Sequence, residues 1–279
     1  MGARALSGWR LRVVHTTRVG YASPVRTSFN EARMTPLTLP TQMTLESRVV
    51  VGGGAQVWTY NDYWGSYVSV FDLPEPHSDL TISARSTVET EPPPALPVPL
   101  TWDAVESAAG SGRLAEFLLP STLTSLDAPV FRAGDPHETA EAISASVRER
   151  VSYVTGATGV RTSAQQAWDQ GEGVCQDMAH VTVALLRQAG LPARYVSGYL
   201  HADPSAAPGE TIAGQSHAWV EYWAGEWVPC DPTSGAPVGE RHVVVARGRD
   251  YDDVPPLKGI FQGPASGTLS VSVEVTRLA

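Results

Sequence analysis

An α+β protein in two regions, an N-terminal antiparallel β-sandwich followed by a helix-and-sheet core, is what the sequence predicts. Three observations predict it. The first ninety residues carry runs rich in β-branched side chains with partial period-two alternation and no convincing helical spacing. The segment Glu91–Pro99 then places five prolines in nine residues, a stiff extended stretch that cannot lie inside a sheet. Beyond it, apolar residues recur at helical spacing before strand patterns return. The boundaries drawn from these shifts are a β-rich domain over 1–92, a proline-rich linker with short helices over 93–133, and a helix-and-sheet core with a C-terminal strand over 134–279.

The strands of the first region are Leu11–Val19, Met43–Val51, Val57–Phe71 and Asp79–Glu89, with Gly52-Gly53-Gly54 as a turn between the second and third. The helical part opens at Asp135-Pro136-His137-Glu138: a side-chain acceptor at the cap, proline in the first turn, and glutamate to close a capping box. Ala140, Ile143, Val147, Val151 and Val154 then supply one apolar face. Thr162–Gln165 has capping-box form and starts a second, short helix. A third starts near Gly173-Val174-Cys175 and ends at Gly190-Leu191-Pro192. Strands follow at Ala193–Leu200, Ser216–Trp223, Trp227–Asp231 and His242–Arg247, and the tail Thr268–Thr276 alternates cleanly as one more.

The composition excludes several function classes. With 279 residues there is ample chain for a buried core. Twenty Lys plus Arg against 29 Asp plus Glu leave a formal charge of −9, which gives no support to a nucleic-acid groove or an anionic membrane surface. No apolar run approaches the ~20 residues that span a bilayer. The first ten residues lack an apolar core followed by a cleavage site, so no secretory signal is expected, and Gly2 fits a myristoylation position only loosely. Two cysteines, Cys175 and Cys230, cannot build a disulfide framework, and a reducing cytoplasmic setting is expected.

Three residues form the candidate catalytic site. Cys175 falls at the amino end of a helix, where unpaired amides and the helix dipole favour a thiolate, and Gly171 and Gly173 are expected to let backbone approach its sulfur. His217 and Asp231 lie on two strands joined by Ala224-Gly225-Glu226, a three-residue loop with glycine for a left-handed position. If Trp223 pairs with Trp227, Trp219 sits opposite Asp231 and His217 is a diagonal neighbour on the same face, at about 7–8 Å backbone spacing. A two-residue turn would place His217 and Asp231 on opposite faces. In this reading the imidazole takes the thiol proton, Asp231 orients the imidazole, and Cys175 attacks an acyl carbon. The Cys175 amide supplies one oxyanion donor; Trp168 and Tyr153 are candidates for the second, and Trp219 for contact with substrate.

The segment Thr162–His180 resembles the cysteine motif of the transglutaminase-like superfamily, continued by Leu185–Tyr199. Ser216-His-Ala-Trp-Val-Glu221 resembles its histidine motif and Trp227-Val-Pro-Cys-Asp-Pro-Thr233 its aspartate motif, in the order Cys, His, Asp with gaps of 42 and 14 residues. Ser28–Pro36 and Asp62-Tyr-Trp-Gly65 resemble the β-rich N-terminal region of bacterial members. The resemblance implies a papain-like core, with the helix bearing Cys175 packed on an antiparallel sheet. It also implies acyl chemistry on a peptide or protein amide through a thioester, hydrolysis foremost and transamidation as the nearer rival. A non-catalytic peptide-binding module is the rival from another class. Cys230 departs from the apolar or aromatic residue expected before Asp231.

No cofactor or metal is expected. Cys175 and His180 are five residues apart, wrong for one helix face, Cys230 has no CxxC partner, and no acidic loop suggests calcium. Strand alternation turns Cys230 away from the Asp231 face as a core thiol. Asp177 is expected to tie down a nearby loop, and His180 to pack on its helix. His15, His77, His137, His201 and His242 are expected in surface or capping roles. Trp223 and Trp227 read as a cross-strand pair, and His201–Gln215 as a solvated loop that could close over the cleft.

Overall fold

A computed structural model describes residues 8–98, 100–110, 112–214, 216–263 and 267–279. The readings of a leader and of Gly2, as well as Pro99 and Gln215, lie outside the described residues. The chain runs β1 (Trp9–Val25), β2 (Ser28–Ala32), β3 (Gln42–Val51), β4 (Trp58–Asn61), β5 (Tyr67–Leu73) and β6 (His77–Thr90). Then come α1 (Trp102–Ala109), α2 (Pro136–Arg150), β7 (Ser152–Tyr153), α3 (Ala164–Gln170), β8 (Glu172–Gly173) and α4 (Cys175–Gln188). It closes with β9 (Ala193–Leu200), β10 (Thr211–Gly214), β11 (Ser216–Trp223), β12 (Trp227–Cys230), β13 (His242–Gly248), β14 (Leu257–Phe261) and β15 (Gly267–Arg277).

The α+β class and the antiparallel sheets are as the sequence predicts. One sheet has the order β10-β15-β1-β6-β3, a second β14-β2-β5-β4, and the third, β12-β11-β9-β13, carries the core. Val57–Phe71 is two strands rather than one. Asp62 breaks it, its carboxylate accepting the amides of Trp64 and Ser66 to form a turn that Arg33 pins from outside. The last two strands return to the N-terminal region: β15 pairs with β1 from Leu11↔Arg277 to Tyr21↔Gly267, and β14 pairs with β2. The supposed loop after His201 is likewise not all loop, because β10 adds to β15 and ties this stretch to the five-stranded sheet.

Burial explains the arrangement. Along β1, Trp9, Leu11, Val13, His15 and Thr17 face inward, alternating with more exposed neighbours. Trp9, Leu11 and Val13 belong to one apolar cluster with Val273 and Val275 of β15 and the buried faces of α2, α4 and β9. A second cluster, with Phe71, Leu80 and Ile82, fills the space inside the sandwich. The five-stranded sheet therefore serves two cores, and two polar side chains point inward where they meet. His15 Nδ1 lies 2.9 Å from the Tyr199 hydroxyl and Nε2 3.1 Å from Thr17 Oγ1. His137 similarly joins Tyr222 (2.9 Å) to the Pro97 carbonyl (3.1 Å), fastening the proline segment to the core.

The surface role expected for the scattered histidines is thus corrected. His15, His137, His201 and His242 are buried, and His77, half-buried, bonds Ser28 Oγ. Each buried ring finds a fixed neighbour from another part of the chain, which strand alternation alone cannot reveal.

The helices begin as their sequences dictate. Asp135 caps α2 and forms the capping box with Glu138. For α3 the cap is Ser163 with Gln166, one residue later than the predicted start. Val154 falls beyond the end of α2 and is exposed, so the apolar face of that helix stops at Val147, with Val151 buried just past its last turn. Among the described residues no helix is long and apolar enough to cross a membrane.

Candidate active site

Cys175 is the first residue of α4, half-buried, with a free thiol. The buried Asp177 fixes this end: its Oδ2 accepts the Val174 amide at 2.8 Å and the Thr158 hydroxyl, drawing the 155–162 loop against the helix. Gln176 adds a bond to the Val160 carbonyl. Gly173 is required because a Cβ there would meet the Asp177 side chain at 2.8 Å, and Gly171 because it ends α3 at φ +70°. Both glycines therefore serve packing and the turn. The Cys175 amide is the first of α4, at the end where helix N–H groups are left to find partners outside the helix ladder.

The β11–β12 hairpin has the register on which the site depends. Trp223 pairs with Trp227 and Val220 with Cys230 across the odd-length turn, where Gly225 sits at φ +108°. His217 and Asp231 accordingly meet, with His217 Nε2 3.0 Å from Asp231 Oδ2. Cys175 also favours the protonated form of this ring, and with Nε2 engaged by Asp231 the nitrogen left for the sulfur is Nδ1. Burial disfavours a charge on His217, but the hydrogen bonds and charges of Asp231 and Cys175 outweigh it and raise its pKa to about 9.

Burial by itself would push the Asp231 carboxyl up. The hydrogen bond to the His217 imidazole and the nearby ring of His242, reinforced by Ser234, hold it far below the usual carboxylate range. Ser234 Oγ donates to Oδ2 at 2.7 Å, and the Thr233 amide donates to Oδ1 at 2.9 Å.

The other sequence candidates fall in different places. Tyr153 is exposed on β7, bridged to Gly173 of β8, and the charge of Cys175 adds to burial in raising its pKa, so its hydroxyl stays protonated. Trp168 packs partly buried against the core with the Arg150 guanidinium 5.5 Å from its ring, a structural position. Trp219 is corrected: at 0% exposure it cannot touch substrate. It stacks on His217 at 5.9 Å and meets His242 edge-on at 5.3 Å, so it walls the two imidazoles. Gly198, opposite His217 on β9, makes this possible, since a Cβ there would lie 2.7 Å from the Trp219 ring. Cys230 turns toward Ser144 of α2, and burial pushes its thiol up, as expected of a core cysteine.

Sequence reasoning missed His242, Thr233, Ser234 and Thr158. The first two residues after Asp231-Pro232 carried a signal, since Ser and Thr two or three places after Asp commonly close an Asx turn. His242 carried none, as it opens a valine-rich strand whose pairing with β9 brings it beside Asp231 only in three dimensions. His217, Asp231 and His242 offer ligand atoms within 4.8 Å of one another. Asp231 already accepts from Ser234, Thr233 and His217, so the trio reads as a hydrogen-bonded carboxylate between two rings. A cavity of about 890 Å³ touches Trp219, Asp231 and His242 under the proline segment, and neither Cys175 nor His217 lines it.

The family model for the transglutaminase-like superfamily matches residues 126–232, and that for the bacterial transglutaminase-like N-terminal region matches 11–89. The uncharacterized protein ML0607 of Mycobacterium leprae is 43% identical over 97% of this chain and 100% of its own length. The chain belongs to the transglutaminase-like superfamily. The fold of this transglutaminase-like protein is also that of a crystal structure described as "a Putative Cysteine Protease from Cytophaga hutchinsonii", with a TM-score of 0.74 over 98% of this chain and 91% of the other at 22% identity. A protein-glutamine gamma-glutamyltransferase of Pseudomonas aeruginosa is 40% identical over 83 residues, 28% of this chain and 12% of that protein. The papain-like arrangement, with α4 packed on an antiparallel sheet, is therefore the architecture of this transglutaminase-like core.

Proposed function

We propose that Cys175, His217 and Asp231 are a catalytic triad for acyl transfer from an amide, with water as the acceptor. The observation that carries this reading is the His217 imidazole, bonded to Asp231 through Nε2 while Cys175 also favours its proton. His217 Nδ1 takes the proton from Sγ, and the thiolate adds to the carbonyl carbon. The Cys175 amide donates to the oxyanion, with the Tyr153 hydroxyl as the second candidate donor. The imidazolium then protonates the leaving nitrogen, the C–N bond breaks, and a thioester remains on Cys175. Water, deprotonated by His217, attacks that thioester, releases the carboxylic acid and returns the proton to sulfur.

Hydrolysis is favoured because Cys175 is half-exposed, so solvent reaches the thioester. Transamidation is the second reading, supported by the local similarity to the glutamyltransferase; an amine would then replace water in the last step. Iodoacetamide labelling across pH, followed by peptide mass spectrometry, tests the triad. Cys175 should label below neutral pH in the wild type and lose that reactivity in His217→Ala. Ordinary thiol behaviour in both proteins would leave a peptide-binding module as the better description. A glutamine peptide incubated with and without a dansylated primary amine separates the two reactions by release of ammonia alone or by incorporation of the amine.

A further inference from the structure

We propose that His242 is a positioning residue for this triad, acting through Asp231 to set how tightly His217 holds its proton. The inference rests on the triad reading. His242 is 3% exposed, and its Nε2 is buried without a hydrogen-bond partner while lying 3.6 Å from Asp231 Oδ2. Its tautomer follows from the other nitrogen: Nδ1 faces the Gly239 amide at 3.3 Å, and an amide can only donate. The single proton of the neutral ring is therefore on Nε2, directed to the carboxylate. At 3.6 Å the contact is longer than a formed hydrogen bond, so it acts by presenting an N–H dipole to Oδ2 in a water-poor site.

Asp231 thus sits between two imidazoles with different duties. His217 exchanges its proton with sulfur, while His242 stays neutral. The charged and titratable groups facing His242 are Asp231, His217 and Arg241; burial and the last two disfavour its protonation, against the pull of Asp231. The ring is also fixed from outside. The His242 amide bonds the Gly239 carbonyl, a Cβ on Gly239 would strike Pro93, and Thr90 Oγ1 donates to the Glu240 carbonyl. The end of β6 and the proline segment thereby brace the turn that aims His242. By withdrawing negative charge from Asp231, the Nε2–H keeps the His217 imidazolium acidic enough to release its proton to a leaving group.

The test uses the pH profile of Cys175 alkylation by iodoacetamide. In the wild type the upper inflection, where His217 loses its proton, is expected near pH 9. His242→Phe, which keeps a ring but removes the donor, should move that inflection upward by roughly half a unit to one unit. His242→Gln, whose amide nitrogen reaches the Nε2 position, should restore it, whereas His242→Asn, which reaches only the Nδ1 position, should not. The Gln and Asn pair carries the test if the Phe variant does not fold. Identical inflections in Gln, Asn and wild type would overturn the proposal, as would equal loss of labelling in all variants with the wild-type profile shape. A wild-type Cys175 that behaves as an ordinary thiol would instead overturn the triad reading itself.

Discussion

His217 shows how one ring can answer to two acids and what pH dependence results. Its proton is retained up to about pH 9, because the Asp231 and Cys175 interactions favour the charged ring more than burial opposes it. Turnover should therefore be level through neutral pH and decline as pH passes about 9, measured on any amide substrate once one is found. Asp231→Asn should lower that alkaline limb and slow Cys175 alkylation at pH 6, since the imidazolium loses its counter-charge. Gly198 belongs to the same scale. Gly198→Ala would drive a methyl toward the Val243 carbonyl and the Trp219 ring, costing about 1–3 kcal/mol. The displaced indole would no longer pack on His217, so low-pH labelling of Cys175 should fall together with the melting temperature.

Much of this residue-level picture is legible in sequence, for identifiable reasons. Parity within a hairpin is local, so the 223–227 pairing and the meeting of His217 with Asp231 follow from the loop length. The Asp135 cap is local too. His242 and Thr158 are not, because they reach the site through contacts between elements that no spacing encodes. Trp219 departs from the expected substrate contact for a related reason: alternation gives its face, but the glycine on the neighbouring strand that lets it lie flat and buried is distant in sequence.

Among the elements, the β11–β12 hairpin and the start of α4 bear most on chemistry. Deleting Gly225 would shorten the turn by one residue and move Asp231 to the face opposite His217. The prediction is a folded protein by far-UV circular dichroism whose Cys175 has lost its acid-range reactivity; retained reactivity would mean that the pairing can slip without harm. At the helix start, Asp177→Ala removes the acceptor for the Val174 amide and Thr158 together. A loss of about 1–2 kcal/mol in urea unfolding is expected, with increased proteolysis of the released 155–162 loop.

For the whole molecule, the buried histidines set acid tolerance. Burial lowers His15 to about 4 and, with the charge of Arg187 adding to it, His180 to about 3. An unfolded chain protonates such rings near 6.5, so below that pH the unfolded state binds more protons than the fold. The contribution of neutral His15 is complete above about pH 6.5 and is lost as pH falls toward 4, a change of about 3 kcal/mol. Urea midpoints at pH 7.5, 6 and 4.5 should decline accordingly, and His15→Gln should flatten the decline. This ring lies where the N-terminal sheet meets Tyr199 of the core, so its protonation would strain the junction itself.

The placement of β15 beside β1 has a bearing on how the molecule is made. During synthesis on a ribosome, β1 can zip onto β6 within the first ninety residues, but its other edge must wait for Gly267–Arg277. The nascent chain therefore completes α4, His217 and Asp231 while an unpaired strand edge is still on offer to neighbouring chains. A chain halted before β15 would contain Cys175, His217 and Asp231 and still lack the partner strand that closes its first sheet. Premature termination near the end of the message should then yield a sticky, protease-sensitive product rather than a shortened but folded protein.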